Sequence, residues 1–216
     1  MTAQQDSRSS ARRKPLIKPA ARIGEYRTFF SSAFHNPKQV GAATPTSAAV
    51  ADVVAQVVPT TGRPVVVELG PGTGSLSSGI RQRLPAEARH IGIEVVASMV
   101  EHLRVHAPWM ELVHGDAGEL VELLAQRGIE QVDAVITSIP WSLLEDTEQD
   151  RILRQAAEAL APHGAFTALT YVPAEHNSGG RRFRTRLADT FDEVLTHTTW
   201  RNFPPILHYI CRRPLR

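Results

Sequence analysis

A strand that leads into a glycine-rich turn, at residues 65–74, constrains the fold of this chain more than any other feature. The run Val65–Val67 is β-branched and Leu69 is apolar, which is typical of a strand buried in a parallel sheet. Three glycines follow the strand at alternate positions, namely Gly70, Gly72 and Gly74. Glycine adopts positive φ without strain and lets a ligand lie against bare backbone, and a following helix offers unpaired N–H groups. The stretch therefore predicts a nucleotide-type site at the carboxyl end of a strand.

The spacing of the glycines argues against a phosphate-bearing ligand. A dinucleotide-binding turn requires glycine at position 75, where this chain has Ser75, and a phosphate-cradling loop requires a lysine that is absent nearby. Glu68 stands directly before the turn, and a carboxylate there suits a ligand that carries an ammonium group and no phosphate. A tight turn without any ligand is the alternative, but it gives no reason for an acid at the strand end.

Strands and helices alternate along the rest of the chain, which predicts a parallel sheet with helices on both faces. The further predicted strands span 90–94, 110–113, 132–137 and 165–171, followed by an antiparallel pair at 191–198 and 205–211. The predicted helices span 48–58, 74–84, 97–106, 117–127, 146–160 and 181–189, with a turn at 162–164 and a flexible loop at 174–180. These patterns divide the chain into a disordered basic tail at 1–15, amphipathic or lid helices at 16–58 and one α/β domain at 59–216.

Acidic residues also end the next two predicted strands. Glu94 lies 20 residues after Gly74, where a carboxylate is placed to accept hydrogen bonds from ribose hydroxyls. Asp116 follows the third strand, where it either takes the amino group of an adenine or caps the next helix. The acids therefore predict a nucleoside site that extends over several strand ends.

The amino-terminal segment is basic and aromatic. Residues 1–27 carry a local excess of five positive charges, whereas the whole chain carries +2. Aromatic and apolar residues recur at helical spacing over 16–34, at Ile23, Tyr26, Phe30 and Phe34. Such a helix is typical of binding to an anionic membrane surface, and nucleic acid is the other polyanion that a basic arm suits. A helix that closes over the domain with its aromatic face inward is the alternative.

The sequence also indicates a cellular location. No apolar leader precedes the domain, no run approaches the ~20 apolar residues of a membrane span, and there is a single cysteine, Cys211. A chain without disulfides fits a reducing compartment. We therefore expect a cytoplasmic protein that is peripheral on the inner face of the membrane if the basic helix binds lipid.

The glycine turn followed by Glu94 and Asp116 resembles motif I and its downstream acids in class I S-adenosylmethionine (SAM) methyltransferases. The flanking segments resemble bacterial phospholipid N-methyltransferases of the soluble PmtA type; these segments are 36–42, 45–47, 170–173 and 200–205. The resemblance extends from about Ile23 to Arg213, and the flanking segments are its family-specific part.

This resemblance implies an α/β, Rossmann-like fold with a seven-stranded, mostly parallel sheet, helices on both faces and an N-terminal helical extension. It also implies SAM as the cofactor, no metal, and an amine-bearing acceptor of the phosphatidylethanolamine type. The residues that it assigns to the cofactor are Glu68, Gly70, Gly72, Thr73, Gly74, Glu94, Val95, Asp116, Ala117 and Ser138, with Thr46 and Ser47 at the methionine end.

Aromatic side chains are the candidates for holding a methylated ammonium through cation–π contacts. They are Tyr26, Trp141, Tyr171 and Trp200, any of which could equally be a core residue. Tyr171 is the best placed of them, because it ends a strand on the ligand side. We assign orientation of the acceptor to Tyr171 and Tyr26, proton acceptance to His35, and substrate contacts to Trp141 and Trp200.

Two other functions remain open at this point. Many relatives have Gly-Leu-Pro after the fourth strand, whereas this chain has the segment 138–141, Ser-Ile-Pro-Trp, which leaves room for a soluble small-molecule acceptor. The same segment is close to the Asn-x-Pro-aromatic motif with which RNA adenine methyltransferases hold an extruded base. The chain has no added helical domain to grip RNA, so nucleic acid is the less expected partner.

Overall fold

The computed structural model describes residues 48–215. The helices are α1 (Ala48–Ala55), α2 (Ser77–Arg83), α3 (Ala97–His106), α4 (Leu120–Ala125), α5 (Asp146–Ala159), α6 (Val172–Glu175) and α7 (Ser178–Thr190). The strands are β1 (Val65–Leu69), β2 (Arg89–Glu94), β3 (Glu111–His114), β4 (Val132–Thr137), β5 (Leu160–Tyr171), β6 (Phe191–Thr199) and β7 (Ile206–Pro214). The predictions for the basic tail, the helix at 16–34, Tyr26, His35, Thr46 and Ser47 lie outside the described residues.

The sheet has seven strands in the order β3-β2-β1-β4-β5-β7-β6. The first five strands in this order are parallel, and β7 pairs antiparallel with both β5 and β6. The predicted class, an α/β fold with a seven-stranded and mostly parallel sheet, is confirmed. The carboxyl ends of β1 to β5 meet at one edge of the sheet, which we call the carboxyl edge.

Helices cover both faces of the sheet. On one face α1 and α2 pack on the sheet through a cluster that includes Val50, Val54 and Ile80. On the other face the larger cluster includes Leu120 of α4, Leu153 of α5 and residues of α7. Strand β1 lies between these layers, so that Val66 and Val67, whose side chains point to opposite faces, are both fully buried. This explains why both faces of β1 are apolar over Val65–Val67.

Several predicted boundaries differ from the structure by one to five residues, and three of the differences lie at turns. Helix α2 begins at Ser77 and not at 74, because Gly70, Gly72 and Gly74 all have positive φ, which a right-handed helix excludes. The predicted helix at 117–127 consists of a 3₁₀ turn, Ala117–Glu119, followed by the short helix α4. Strand β5 begins at Leu160, and the predicted turn at 162–164 is an irregular segment within it, where the register against β4 shifts.

The predicted flexible loop at 174–180 is helical. It contains the end of α6 and the first turn of α7, which Asn177 caps by accepting a hydrogen bond from the Gly180 N–H at 2.7 Å. Gly179 and Gly180 are poor helix formers, which is why the sequence pattern predicts a loop. They are required by packing, because a Cβ at Gly179 would overlap the backbone of Ser142 and a Cβ at Gly180 would overlap the carbonyl of Ala174.

Within residues 48–215 we find neither a helix with the length and apolarity of a membrane span nor a group of acidic, histidine or cysteine side chains that could hold a metal ion.

Candidate active site

The glycine turn lies at the carboxyl edge, directly after β1. The φ angles of Gly70, Gly72 and Gly74 are +66°, +58° and +79°. The Gly70 N–H donates to the carbonyl of Ile93 at 2.9 Å, which ties the turn to β2. A Cβ on Gly70 would lie 3.1 Å from Ile139 Cγ1, so a larger residue there would press on the loop that follows β4. The turn therefore presents backbone, and not side chains, to a ligand.

Glu94 connects the end of β2 to the glycine turn. Its carboxylate is 4% exposed and accepts hydrogen bonds from the N–H of Gly72 at 3.1 Å and of Val96 at 2.9 Å. Burial raises the pKa of this carboxyl, while the backbone hydrogen bonds from Val96 and Gly72 act in the opposite direction. A carboxylate has about four lone-pair sites, so Glu94 keeps acceptor capacity for a bound hydroxyl beside its backbone hydrogen bonds from Val96, Gly72 and Val95.

Glu68 is fully buried beneath α2. Its Oε2 accepts a hydrogen bond from Ser77 Oγ at 2.7 Å and lies 3.2 Å from His90 Nε2. The contact to His90 is close but not aligned as a hydrogen bond, and Glu68 Oε1 has no hydrogen-bond partner among residues 48–215. A buried carboxylate oxygen without a hydrogen-bond donor costs free energy. A ligand or partner that supplies positive charge would offset this cost.

Asp116 lies two residues after the end of β3, and its carboxylate already accepts several hydrogen bonds. Its Oδ1 accepts a hydrogen bond from the Gly118 N–H at 2.8 Å, which caps the 3₁₀ turn. Arg151 Nη2 donates to both Asp116 oxygens, at 3.0 and 2.8 Å, and also to Glu148 at 2.7 Å. The capping role considered for Asp116 is thus present, and contact with an adenine amino group stays a prediction.

The loop after β4 is fastened to the glycine turn by Ser138. Its Oγ donates to the carbonyl of Gly70 at 2.8 Å, and its N–H donates to the carbonyl of Leu69 at 3.3 Å. The structure therefore brings Ser138 beside the turn, where a cofactor contact is predicted. Of the other predicted cofactor residues, Thr73 is exposed with its hydroxyl 2.9 Å from that of Ser75, while Val95 and Ala117 follow Glu94 and Asp116 directly.

Trp141 requires a correction. Its side chain is 1% exposed and stacks on Phe183 of α7 at a centroid distance of 4.4 Å, with Phe166 edge-on at 6.0 Å. Trp141 begins a second 3₁₀ turn, Trp141–Leu143, and its carbonyl accepts a hydrogen bond from Gln149 of α5 at 2.7 Å, which holds this turn in place. The predicted substrate contact is replaced by a core role, because the chain turns inward after Pro140 and buries the indole.

Tyr171 and Trp200 both lie at the carboxyl edge but in different surroundings. Tyr171 ends β5, is half-buried against the cluster of α1 and α2, and burial raises the pKa of its phenol. Trp200 follows β6 and is 74% exposed. Tyr171 therefore packs against the hydrophobic core at the carboxyl edge, whereas Trp200 is exposed to solvent.

Three residues of this site are not predicted by our sequence analysis, namely Ser77, His90 and Arg151. The pairing of β1 with β2 indicates the position of His90. Val66 pairs with His90 and Glu68 pairs with Gly92, and alternate residues of a strand share a face, so His90 and Glu68 lie on the same face of the sheet. Arg151 comes from the middle of α5, 35 residues after Asp116, and no local pattern indicates the ion pair.

The residues fit SAM by their chemistry. SAM carries a positive sulfonium, an ammonium and a ribose, and no phosphate. The carboxyl edge offers the carboxylates of Glu68 in β1, Glu94 at the end of β2 and Asp116 after β3. It also offers a glycine turn without side chains and a buried oxygen of Glu68 that lacks a donor among residues 48–215. Positive charge and hydroxyl donors are the groups that such a set accepts.

Comparison with known proteins agrees with this chemistry. A family model described as a methyltransferase domain matches residues 66–164, from β1 into β5. The ornithine lipid N-methyltransferase of Singulisphaera acidiphila is 31% identical over 187 residues, which cover 85% of this chain and 94% of that protein.

Solved structures of methyltransferases share the fold. The O-methyltransferase from Bacillus cereus, solved in complex with SAH, has a TM-score of 0.63 and 13% identity over 91% of this chain and 93% of that one. The 1,6-didemethyltoxoflavin-N1-methyltransferase from Burkholderia thailandensis, solved with bound S-adenosylhomocysteine, has a TM-score of 0.62 and 16% identity over 93% and 92%. The glycine turn, the acids at the strand ends and these similarities lead to one conclusion: the chain belongs to the class I SAM-dependent methyltransferases and resembles those that methylate lipid amines.

Proposed function

We propose that this enzyme transfers methyl groups from SAM to the primary amine of a membrane-lipid head group. The observation that carries the proposal is the 31% identity, over nearly the whole length of both chains, to an ornithine lipid N-methyltransferase. Phosphatidylethanolamine, the acceptor that the sequence predicts, and ornithine lipid share the same reacting group, an amine on a lipid. The proposal is therefore stated at the level of this shared chemistry.

The residues at the carboxyl edge would hold and orient the cofactor. Glu94 would accept hydrogen bonds from the ribose hydroxyls, and the glycine turn would carry the nucleoside against its backbone. Asp116 would take the adenine amino group through the one lone-pair site, on Oδ2, that Arg151 and Gly118 leave free. When bound, SAM supplies an electrophilic methyl group on a sulfonium that is itself the leaving group. The task of the protein is to hold this methyl group in line with the acceptor.

The acceptor amine must arrive without its proton. At neutral pH the Tyr171 phenol stays protonated, because burial raises its pKa, so it offers an aromatic face and a hydroxyl and is not the base. An aromatic face stabilises a methylated ammonium by about 0.5–2 kcal/mol. Water or His35 would accept the proton of the amine. Tyr26 is the second predicted aromatic contact. His35 and Tyr26 both lie outside the described residues. Such an acceptor places the enzyme peripherally on the inner face of a membrane.

A methyl-transfer assay with four acceptors tests this function. Radiolabelled SAM is supplied with vesicles that contain phosphatidylethanolamine, vesicles that contain ornithine lipid, soluble ethanolamine, or unmodified RNA. Label in either lipid supports the proposal and identifies the head group. Label only in ethanolamine indicates a small-molecule enzyme, label only in adenine of RNA indicates an RNA methyltransferase, and each of these two results refutes the proposal. The Tyr171→Phe variant keeps the aromatic face and serves as the control for Tyr171→Ala, which should raise KM for the lipid.

Glu94 should make SAM binding dependent on pH. An ionised carboxylate accepts hydroxyl hydrogen bonds, whereas a protonated one loses acceptor capacity. Because burial raises the pKa of Glu94, affinity for SAM should begin to fall at a higher pH than an exposed carboxyl would impose. Calorimetric titration with SAM across about pH 5 to 8 measures this loss. Glu94→Gln should bind SAM about tenfold more weakly at neutral pH and lose this pH dependence.

The same pKa shift has the opposite sign for stability. A carboxyl whose pKa is raised by folding stabilises the folded state at low pH, and this contribution is lost as the pH rises through the raised pKa. Weaker SAM binding in acid therefore does not reflect unfolding through Glu94. Glu111→Gln is the matched control, since Glu111 begins β3 at the opposite edge and Arg89 lowers its pKa. If the loss of SAM affinity at low pH persisted unchanged in Glu94→Gln, protonation of Glu94 would not be its cause.

A further inference from the structure

The turn between β6 and β7, residues 200–205, stands at the carboxyl edge. Thr199 and Tyr171 both pair with Ile206, so the last residue of β6 and the last residue of β5 lie on either side of the first residue of β7. The Val172 N–H donates to the carbonyl of Pro205 at 2.9 Å, which fixes the turn to the end of β5. The turn therefore projects from the same edge of the sheet as Tyr171 and the glycine turn.

Two large aromatic side chains are presented by this turn. Trp200 is 74% exposed and Phe203 is 87% exposed. The backbone between them is ordered by Asn202, which is 5% exposed and donates from Nδ2 to the carbonyl of Pro204 at 2.9 Å. An anchored turn that exposes the indole of Trp200 to this degree differs from scattered apolar residues on a surface, which need no explanation.

Positive charge lies at the same edge. Arg201 is exposed within the turn, and Arg181 is exposed in the first turns of α7, which starts at this edge because it follows β5 and α6. Neither guanidinium forms an ion pair with an acid within residues 48–215, whereas Arg182 and Arg186 pair with Asp146 and Asp150. An exposed tryptophan with exposed arginines at the same edge of the sheet matches the interface of a bilayer with anionic head groups.

We propose that the β6–β7 turn inserts Trp200 into the interface of an anionic lipid bilayer and so brings the carboxyl edge to the membrane. The inference rests on the proposed lipid acceptor. A head group can reach the active site without leaving the bilayer only if the edge that holds the site faces the bilayer. Trp200 then acts as a membrane anchor and not as one of the aromatic contacts to the reacting amine.

The cysteine content of the chain permits a direct test. Cys211 is the single cysteine and is fully buried in β7. A thiol-reactive, polarity-sensitive fluorophore will therefore label a cysteine that is introduced at the surface. Trp200→Cys places the label on the turn. Trp109→Cys is the matched control, because Trp109 is also partly exposed, at 38%, but precedes β3 at the opposite edge of the sheet.

The full-length labelled proteins are mixed with vesicles of phosphatidylethanolamine and phosphatidylglycerol, or of phosphatidylcholine alone. The label at position 200 should gain intensity and shift to shorter wavelength with the anionic vesicles, and the label at position 109 should not respond. Trp200→Ala should lower the vesicle partition coefficient by about fivefold to tenfold, with circular dichroism unchanged, and Trp109→Ala should leave partition unchanged.

Three results would overturn the inference. The first is that the labels at positions 200 and 109 respond alike to vesicles. The second is that the label at position 200 is already in an apolar environment without vesicles and stays there, as it would if residues 1–47 covered it. The third is that Trp200→Ala dissociates a dimer without changing vesicle binding. Failure of the proposed function gives a different result. Insertion of the turn without methyl transfer to lipid refutes the function and leaves the membrane contact standing, whereas methyl transfer to detergent-dispersed lipid without insertion refutes only the contact.

Discussion

Gly72→Ala should weaken SAM binding by about tenfold to hundredfold while the protein remains folded. The φ angle of Gly72 is +58°, a conformation that costs an L-residue about 1–2 kcal/mol. Relief of this strain would turn the peptide and move the N–H that Glu94 accepts at 3.1 Å, which disturbs both the turn and the carboxylate of the site. The added methyl group also stands where a ligand would meet bare backbone. Calorimetry with SAM gives the change in Kd, and thermal unfolding gives the change in stability.

Gly62→Ala separates the two effects. Gly62 has a φ of +78°, and a Cβ there would have no atom within 4 Å. Its replacement should therefore carry a similar backbone cost without touching the glycine turn, and SAM should bind as it does to the unmodified protein. Equal Kd values for the two variants, at equal loss of stability, would show that the glycine turn does not hold the cofactor.

The layer structure of this fold was predictable because local pattern and tertiary position agree. The strand predicted at 132–137 is β4, Val132–Thr137, since its apolar run is buried on both faces. The terminal pair at 191–198 and 205–211 is observed as β6 and β7, although β6 is an edge strand whose middle is exposed. The position of the acids also follows, because the carboxyl ends of parallel strands share one edge and Glu68, Glu94 and Asp116 each end a strand or follow it.

Contacts between distant segments were not predictable in this way. Trp141 follows a strand at the carboxyl edge, as a ligand contact would, and only the position of α7 with Phe183 shows that the indole is buried. The helical start of α7 depends on backbone approach to Ser142, which requires glycine at a place where local propensity predicts a loop. Arg151 reaches Asp116 from another helix. In each case the deciding partner comes from a separate part of the chain, so no local window contains the signal.

Glu68→Ala should destabilise the protein by about 2–4 kcal/mol, the largest stability change expected at this site. The variant leaves Ser77 Oγ without its acceptor, removes the carboxylate that lies 3.2 Å from His90, and opens a cavity beneath α2 where exposure is zero. For a chain of this length the loss corresponds to a fall in Tm of about 4–16 °C. SAM binding should weaken as well, because Glu68 holds Ser77, the first residue of α2, which follows the glycine turn. Thermal unfolding with and without SAM measures both effects.

A double-mutant cycle identifies the source of the loss. Ser77→Ala alone should cost about 1–2 kcal/mol, because it removes the hydroxyl that donates to Glu68 at 2.7 Å. If the two side chains act as a pair, the double variant should cost less than the sum by about 0.5–3 kcal/mol. Glu68→Gln keeps the shape and an acceptor oxygen, so it should retain most of the stability and report the effect of the charge on SAM affinity. Full additivity of Glu68→Ala and Ser77→Ala would contradict the pairing, and an unchanged Kd in Glu68→Gln would remove the charge of Glu68 from the account of cofactor binding.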